Sequence, residues 1–276
     1  MNIWELKAAP KYTTLVPADK EKDLVLFMDH FCGNSMSDWW RSIPLEIYKK
    51  GENRDSYYLT GGIPIFTLET LRKIGPFMRG YAEFLPALCN NEEIYLVNVF
   101  KGLNVVDYNA SIIKRRPSGS FSDFVKLEFN AAEVNKYPIF KIEEFAETRV
   151  YVNDEFIDLV KTYGVQSFDF VKVWTSDEPS EAEIALQKKY NAIIKETESY
   201  RGPTYKWDDA IQLVHSGKAV RSGEWMMQEG ENGELLISVL RPDCEYYVLN
   251  SPVIPPAILF LEWHETESKV SRANIF

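Results

Sequence analysis

The chain has 276 residues and a mass of 31.9 kDa, which is enough for one large domain or two ordinary ones. Its 45% hydrophobic and 26% charged residues exclude a mainly disordered, collagen-like or low-complexity protein. A net charge of −10 disfavours a protein that grips the nucleic acid backbone or an anionic membrane surface, and it suits a basic protein partner.

The cysteines and the N-terminal segment indicate a compartment. Cys32, Cys89 and Cys244 are widely spaced and odd in number, which predicts free thiols in a reducing environment and no disulfide framework. No basic segment followed by an apolar run opens the chain, and no stretch approaches 18 apolar residues. We therefore expect a soluble, cytoplasmic protein.

The first half of the chain has the pattern of short strands broken by turns. Leu24–Met28 is a compact apolar run bounded by charges and predicts a strand. Leu45–Tyr48 and Tyr57–Leu59 flank a turn-rich segment and predict a hairpin. Ile63–Thr67 is predicted to be extended, and Leu68–Ile74 to form a short helix.

Further along, the apolar runs Glu83–Leu88 and Glu93–Phe100 flank Asn90-Asn91, which predicts a second hairpin. Asp154–Tyr163 follows an asparagine that suits a helix N-cap, and it predicts a helix. Phe168–Trp174 alternates between apolar and polar residues and predicts a last strand of this part.

A polar, acidic segment at 175–181 predicts a boundary, so we divide the chain into domains at 1–176 and 177–276. The second domain holds 17 Asp and Glu against 10 Lys and Arg residues, a net charge of −7 out of −10. Its periodicity predicts helices at about 182–198 and 207–215, followed by strands at 219–220, 235–240, 246–249 and 258–263. These elements predict an α+β fold: a mainly antiparallel N-terminal domain with a few short helices, then a smaller α+β domain.

The sequence contains no standard catalytic or zinc-binding motif, so we expect no catalytic residue, no cofactor and no metal. His30 and Cys32 are the best candidates for an imidazole-activated thiolate. If this segment is a strand, however, His30 and Cys32 are at positions i and i+2 and point to the same face whether or not they have a function. A buried structural cysteine is therefore favoured. His215 is expected to face a helix C-terminus, and His264 is expected at the surface or an edge.

The segment Asp38, Trp39, Trp40 and Arg41 concentrates residue types that dominate protein interfaces. We take these four as candidate partner-binding residues. A core position for one tryptophan and a contact position for the other are both open at this stage.

Residues 62–174 carry segments whose order resembles the α+β immunity proteins of bacterial polymorphic-toxin systems, and the resemblance extends over residues 1–176. It implies a protein that binds and neutralises a cognate toxin, and it implies no catalytic residues. The segments that carry it are Ile63–Phe66, Phe84–Pro86, Tyr95–Val99, Val105–Asp107, Pro138–Ile142, Val150–Phe156, Gly164–Val165 and Phe168–Phe170.

The C-terminal part is similar to a small phage-associated domain of the Thoeris anti-defence type. The similarity lies in Trp207–Ala210, Gly217–Arg221, Trp225 and Leu261–Trp263. It implies sequestration of a signalling nucleotide by an oligomer. The candidate nucleotide-binding residues are Lys218 and Arg221 for phosphates, with Trp207 or Trp225 for the base.

Our leading hypothesis is a non-catalytic immunity protein that covers the active site of a cognate bacterial toxin. We expect that toxin to have a basic surface. No nucleic acid or membrane partner is expected, and the oligomeric state stays open. The alternative is a nucleotide-binding protein that acts through residues 200–265. A third, an enzyme using His30 and Cys32, has the least support from the residues.

Overall fold

The computed structural model describes residues 1–8, 12–52, 55–59, 63–116, 118–166, 168–178, 181–249, 254 and 256–267. The chain has an α+β fold in two compact units, Met1–Glu178 and Pro179–Phe276, which we call unit 1 and unit 2.

In its described residues, unit 1 consists mainly of short strands with four α-helices. The strands are β1 Asn2–Ala8, β2 Thr14–Pro17, β3 Ile43–Lys49, β4 Ser56–Leu59, β5 Ile63–Thr67, β6 Ala82–Cys89, β7 Glu92–Val99, β8 Ile112–Arg115, β9 Phe121–Lys126, β10 Ile139–Phe140, β11 Val150–Asn153 and β12 Phe168–Thr175. The helices are α1 Lys20–His30, α2 Leu68–Ile74, α3 Ala131–Val134 and α4 Asp154–Thr162, with single 3₁₀ turns at Gly75–Met78 and Glu143–Phe145.

Six strands of unit 1 close into a barrel in the order β2-β3-β6-β7-β5-β4. The pairs β2·β4 and β3·β6 are parallel and the other four are antiparallel. Closure leaves none of these strands with an unpaired edge. The barrel is filled by side chains such as Leu15, Ile65 and Leu96, and α1 adds Phe27 and Phe31 to the same cluster.

A second sheet, β10-β11-β1-β12, has a core on each face because successive strand residues point in opposite directions. Leu6 and Val152 pack with α4 and with barrel residues such as Phe66. Ile3 and Tyr151 face the other way, into a separate cluster of mostly aromatic side chains. The hairpin β8-β9 adds Phe121 and Phe124 to this second cluster.

Unit 2 is a five-stranded antiparallel sheet between two helices. Its strands, β13 Ala219–Ser222, β14 Trp225–Glu229, β15 Leu235–Leu240, β16 Tyr246–Val248 and β17 His264–Thr266, follow the order β16-β15-β14-β13-β17. Helix α6, Trp207–His215, packs with Val220 and Met227 on one face. Helix α5, Glu181–Glu198, packs with Met226 and Leu236 on the other.

Several predicted elements are confirmed. The helix Leu68–Ile74 has the predicted bounds. The hairpin around Asn90 and Asn91 is β6–β7, and both asparagines adopt positive φ, 51° and 65°, as a tight two-residue turn requires. The helix after Asn153 is α4, and the Asn153 side chain accepts a hydrogen bond from the Phe156 amide.

The strand predicted at Leu24–Met28 is wrong, because this run lies inside α1. An apolar run of five residues does not distinguish a strand from a buried helical segment. The flanking residues decide it: the Asp19 side chain accepts from the Lys22 amide and starts the helix. Phe27 and Phe31, four residues apart, then face the barrel together with ring centroids 5.1 Å apart.

Two further predictions fail, the first of them because the pairing partners of the strands lie far apart in sequence. The hairpin predicted from 45–48 and 57–59 does not form, since β3 pairs with β2 and β6 whereas β4 pairs with β2 and β5. The strand predicted at 258–263 is replaced by a 3₁₀ turn at Pro256–Phe260, which begins at a proline. Strand β14 escaped prediction because helices cover both faces of the sheet, so Met226 and Met227 are both buried and no alternation is visible.

The Asn153 cap gives a stability prediction. We expect Asn153→Ala to lower the free energy of unfolding of unit 1 by about 1 kcal/mol or more, because the Phe156 amide loses its acceptor inside the core. Chemical denaturation of the whole chain measures this. The control is Asn130→Ala, since Asn130 precedes α3 without a side-chain capping bond. Equal losses for both variants would contradict the prediction.

Candidate functional site

The candidate partner-binding residues lie in the segment between α1 and β3, residues 31–42, which we call the Trp39 loop. Two side chains anchor this loop to the barrel, because Phe31 and Met36 are buried in the cluster that fills it. Trp40 joins them at the edge of this cluster, and its indole Nε1 donates to the carbonyl oxygen of Pro86 at 2.9 Å. Trp40 is thus a packing residue.

A single carboxylate fixes the middle of the Trp39 loop. Glu83, on β6, accepts hydrogen bonds from the Met36 amide at 2.6 Å, from the Ser37 amide at 3.2 Å and from the Ser35 hydroxyl at 2.8 Å. The side-chain amide of Asn98 donates to Glu83 at 2.7 Å and also to the backbone oxygen of Asn34, at 2.7 Å. Partial burial opposes ionisation, but these hydrogen bonds outweigh it and hold the pKa of Glu83 below its usual value.

A buried lysine fixes the start of the same loop. The Nζ atom of Lys141 donates to the carbonyl oxygen of Phe31, the C-cap residue that follows α1. A cation is favourable there because the last carbonyls of a helix carry partial negative charge. Burial lowers the pKa of Lys141 to about 8, against weaker opposing effects of Cys32 and Glu147.

The Trp39 side chain points away from these contacts and into solvent. Its side chain is 48% exposed, and its ring meets that of His30 edge-on with centroids 5.1 Å apart. Asp38 and Arg41 on either side are exposed as well. The structure therefore places the two tryptophans differently, since Trp40 packs at the edge of the core and Trp39 lies at the surface, and the local sequence does not distinguish them.

The proposed thiolate pair is not arranged for catalysis. His30 ends α1 and Cys32 follows in a turn, so the two residues do not lie on a strand as predicted. His30 and Cys32 each contact another residue: the His30 ring meets that of Trp39, and the Asn34 side-chain amide donates to Cys32 Sγ at 3.4 Å. Their surroundings are those of a helix end and its following turn.

The candidate nucleotide-binding residues do not share a face of unit 2. Trp207 starts α6 and packs edge-on against the buried Trp263, and Trp225 belongs to the same cluster. Val220 also faces that cluster, so its neighbour Arg221 points to the opposite side of the sheet.

Both candidate cations already have anionic partners. The Nη2 atom of Arg221 lies 2.7 Å from Oε1 of Glu196 on α5. Lys218 is half-exposed, and its Nζ lies 2.8 Å from Oε2 of Glu265. These four candidate residues therefore do not converge on one ligand position.

His264 was expected at the surface or at an edge, and the structure places it at an edge of the sheet but not at the surface. Although it lies on the edge strand β17, its side chain is almost completely buried, and Nε2 accepts a hydrogen bond from Nε of Arg221 at 3.1 Å. A buried Arg–His contact leaves no signal in the local sequence, since β13 and β17 are separated by more than forty residues of chain. His215, by contrast, lies at the end of α6 as predicted.

The Glu83 carboxylate gives a prediction about loop order. We expect Glu83→Gln to raise hydrogen exchange at the Met36 and Ser37 amides about tenfold or more, because charge-assisted bonds become neutral ones. In the wild type, the lowered pKa of Glu83 contributes to the free energy of unfolding at pH values above the ordinary carboxyl pKa. This contribution is lost as the pH falls through the pKa that Glu83 has in the folded protein. Glu155→Gln, an exposed charge on α4, is the control; unchanged exchange in Glu83→Gln would refute the assignment.

Lys141 gives a prediction about pH. Between about pH 8 and the ordinary lysine pKa the unfolded chain binds more protons than the folded one, so the free energy of unfolding rises with pH. We expect Lys141→Met to remove this rise, whose slope approaches about 1.4 kcal/mol per pH unit. Denaturation from pH 7.5 to 10.5 measures the difference from wild type. The exposed Lys136→Met is the control and should retain the rise.

Among the residues that the structure describes, no helix is long and apolar enough to cross a membrane. Within the same residues, no group of three or more His, Cys, Asp or Glu side chains could hold a metal ion. No protein-family model matches the chain, and no curated protein matches it either.

Proposed function

We propose that this protein is a non-catalytic immunity protein of the cytoplasm, which binds a cognate protein toxin and covers its active site. The observation that carries the proposal is a half-exposed tryptophan, Trp39, on a loop already held in one conformation by Glu83 and Lys141. Tryptophan is among the residues that contribute most to protein interfaces.

The fixed loop matters because binding loses less entropy when the contact residues are already ordered. Met36 and Trp40 are packed, and Glu83 binds two loop amides and one loop hydroxyl, so the loop does not need to fold onto a partner. Such a loop can insert one large side chain into a groove of the toxin. Inhibition of this kind requires an interface of about 800 Å² on each partner and no reacting group.

Charge supports a basic partner. The chain carries a net charge of −10, and one of its carboxylates, that of Asp38, is exposed next to Trp39. Opposite charges accelerate encounter and select against wrong partners. A toxin with a basic surface around its substrate groove satisfies both the charge and the aromatic contact.

The test begins with capture of the partner. The whole chain, carrying an affinity tag, is expressed in its native host, and the co-eluting proteins are identified by mass spectrometry. We expect one stoichiometric partner that carries a toxin module. A clean protein, or one that elutes with an ultraviolet-absorbing small molecule, would count against the proposal.

The second step tests the loop itself. We expect Trp39→Ala to weaken toxin binding about 30-fold, the effect of losing a side chain that dominates an interface. Phe77→Ala is the matched control, because Phe77 is 50% exposed on the same unit and lies against Tyr163 instead of the loop. Calorimetry with the captured toxin measures both variants. Equal affinities for wild type and Trp39→Ala would place the interface elsewhere.

A further inference from the structure

One buried guanidinium connects α5 to the sheet of unit 2. Arg221, on β13, is only 8% exposed. Its Nη2 atom lies 2.7 Å from Oε1 of Glu196 on α5, and its Nε donates to Nε2 of His264 on β17 at 3.1 Å. The ring of Tyr200, just after α5, stacks on the imidazole at 4.1 Å with an angle of 10°. We call Glu196, Tyr200, Arg221 and His264 the Arg221 clasp.

The hydrogen bond defines the protonation state of the imidazole. An arginine side chain stays protonated in proteins, so its Nε–H can only donate. Nε2 of His264 must therefore accept through a lone pair, which requires the neutral ring. A proton on Nε2 would place two N–H donors against each other and bring two cations together in a buried site.

The surroundings favour the neutral ring at physiological pH. Among the residues that the structure describes, the charged or titratable groups that face His264 are Arg221 from β13, Glu196 from α5 and Tyr200 from the segment after α5, while Tyr246 from β16 faces Arg221. Burial and then the charge of Arg221 lower the pKa of His264, against an opposing effect of Glu196.

The attachment of α5 depends on its C-terminal half. Tyr190, Ile193 and Ile194 pack on the sheet. In the first half, Ile184 and Leu186 remain exposed. The clasp acts on the same part of α5 that packs on the sheet, since Glu196 lies in its last turn.

We propose that the Arg221 clasp is acid-sensitive: protonation of His264 breaks its bond to Arg221 and turns the guanidinium away from the new imidazolium. The ion pair of Arg221 with Glu196 on α5 is weakened as a result, which favours release of the C-terminal half of α5 from the sheet. Release uncovers the apolar side chains beneath α5, among them Met226, Leu236 and Leu240. Because the folded pKa lies below the ordinary histidine value, the clasp stabilises unit 2 above that value and loses its contribution as the pH falls through the folded pKa.

Hydrogen exchange on the full chain between pH 7.5 and 5.0 tests this proposal, with rates corrected for intrinsic exchange. We expect the amides in the last two turns of α5 to exchange about tenfold faster or more at pH 5.0. The local opening of α5 becomes more favourable by this factor when one charge-assisted hydrogen bond no longer opposes it. His264→Gln keeps an acceptor and cannot be protonated, so its exchange should not change with pH. The control is His215→Gln, on the exposed end of α6, which should behave as the wild type does.

A histidine titration by NMR on the wild type keeps the proposal testable if His264→Gln fails to fold. We expect the amide shifts of α5 to follow the midpoint of His264 and not that of His215. Three results would overturn the proposal: no change in α5 exchange down to pH 5.0, a pH response that persists in a folded His264→Gln variant, or α5 shifts unrelated to the His264 midpoint.

Discussion

The candidate surface around Trp39 depends on the hydrogen bonds that the Glu83 carboxylate accepts from the Trp39 loop. Glu83 lies on β6, a strand of a closed barrel, and therefore has a fixed position from which to bind the loop. Its hydrogen bonds replace those that the Met36 and Ser37 amides would otherwise make with water. The exposed Trp39 is thus held by the barrel without being part of its core, which combines a rigid support with an accessible side chain.

Unit 2 uses charge differently. There, the guanidinium of Arg221 lies under a helix and must be satisfied by Glu196 and His264 because water has little access. Glu196 is itself exposed, so the pair is only partly buried, but loss of Glu196 or His264 would leave the buried guanidinium without one of its partners. The same group that appeared from sequence to be a phosphate ligand is therefore an internal link between α5 and two strands.

Local chemistry was predicted well from the sequence, and long-range pairing was not. The helix after Asn153 and the turn at Asn90 and Asn91 follow from residues a few positions apart, so their prediction succeeds. The order of the barrel strands depends on pairs such as Ile43 with Ala87, for which nothing local gives a signal. The composition of Asp38–Arg41 indicated a candidate surface, yet the identity of the exposed tryptophan required the position of Pro86.

The parallel pairs of the barrel also impose an order on folding. Hairpin β6–β7 and the neighbouring β4–β5 pair join residues close in sequence and lose little chain entropy when they form. The pairs β2·β4 and β3·β6 instead join Thr14 to Tyr58 and Ile43 to Ala87, and each closes a long loop. We therefore expect the barrel to close late in folding, and until it does the unpaired edges of β2 and β3 can pair with other chains.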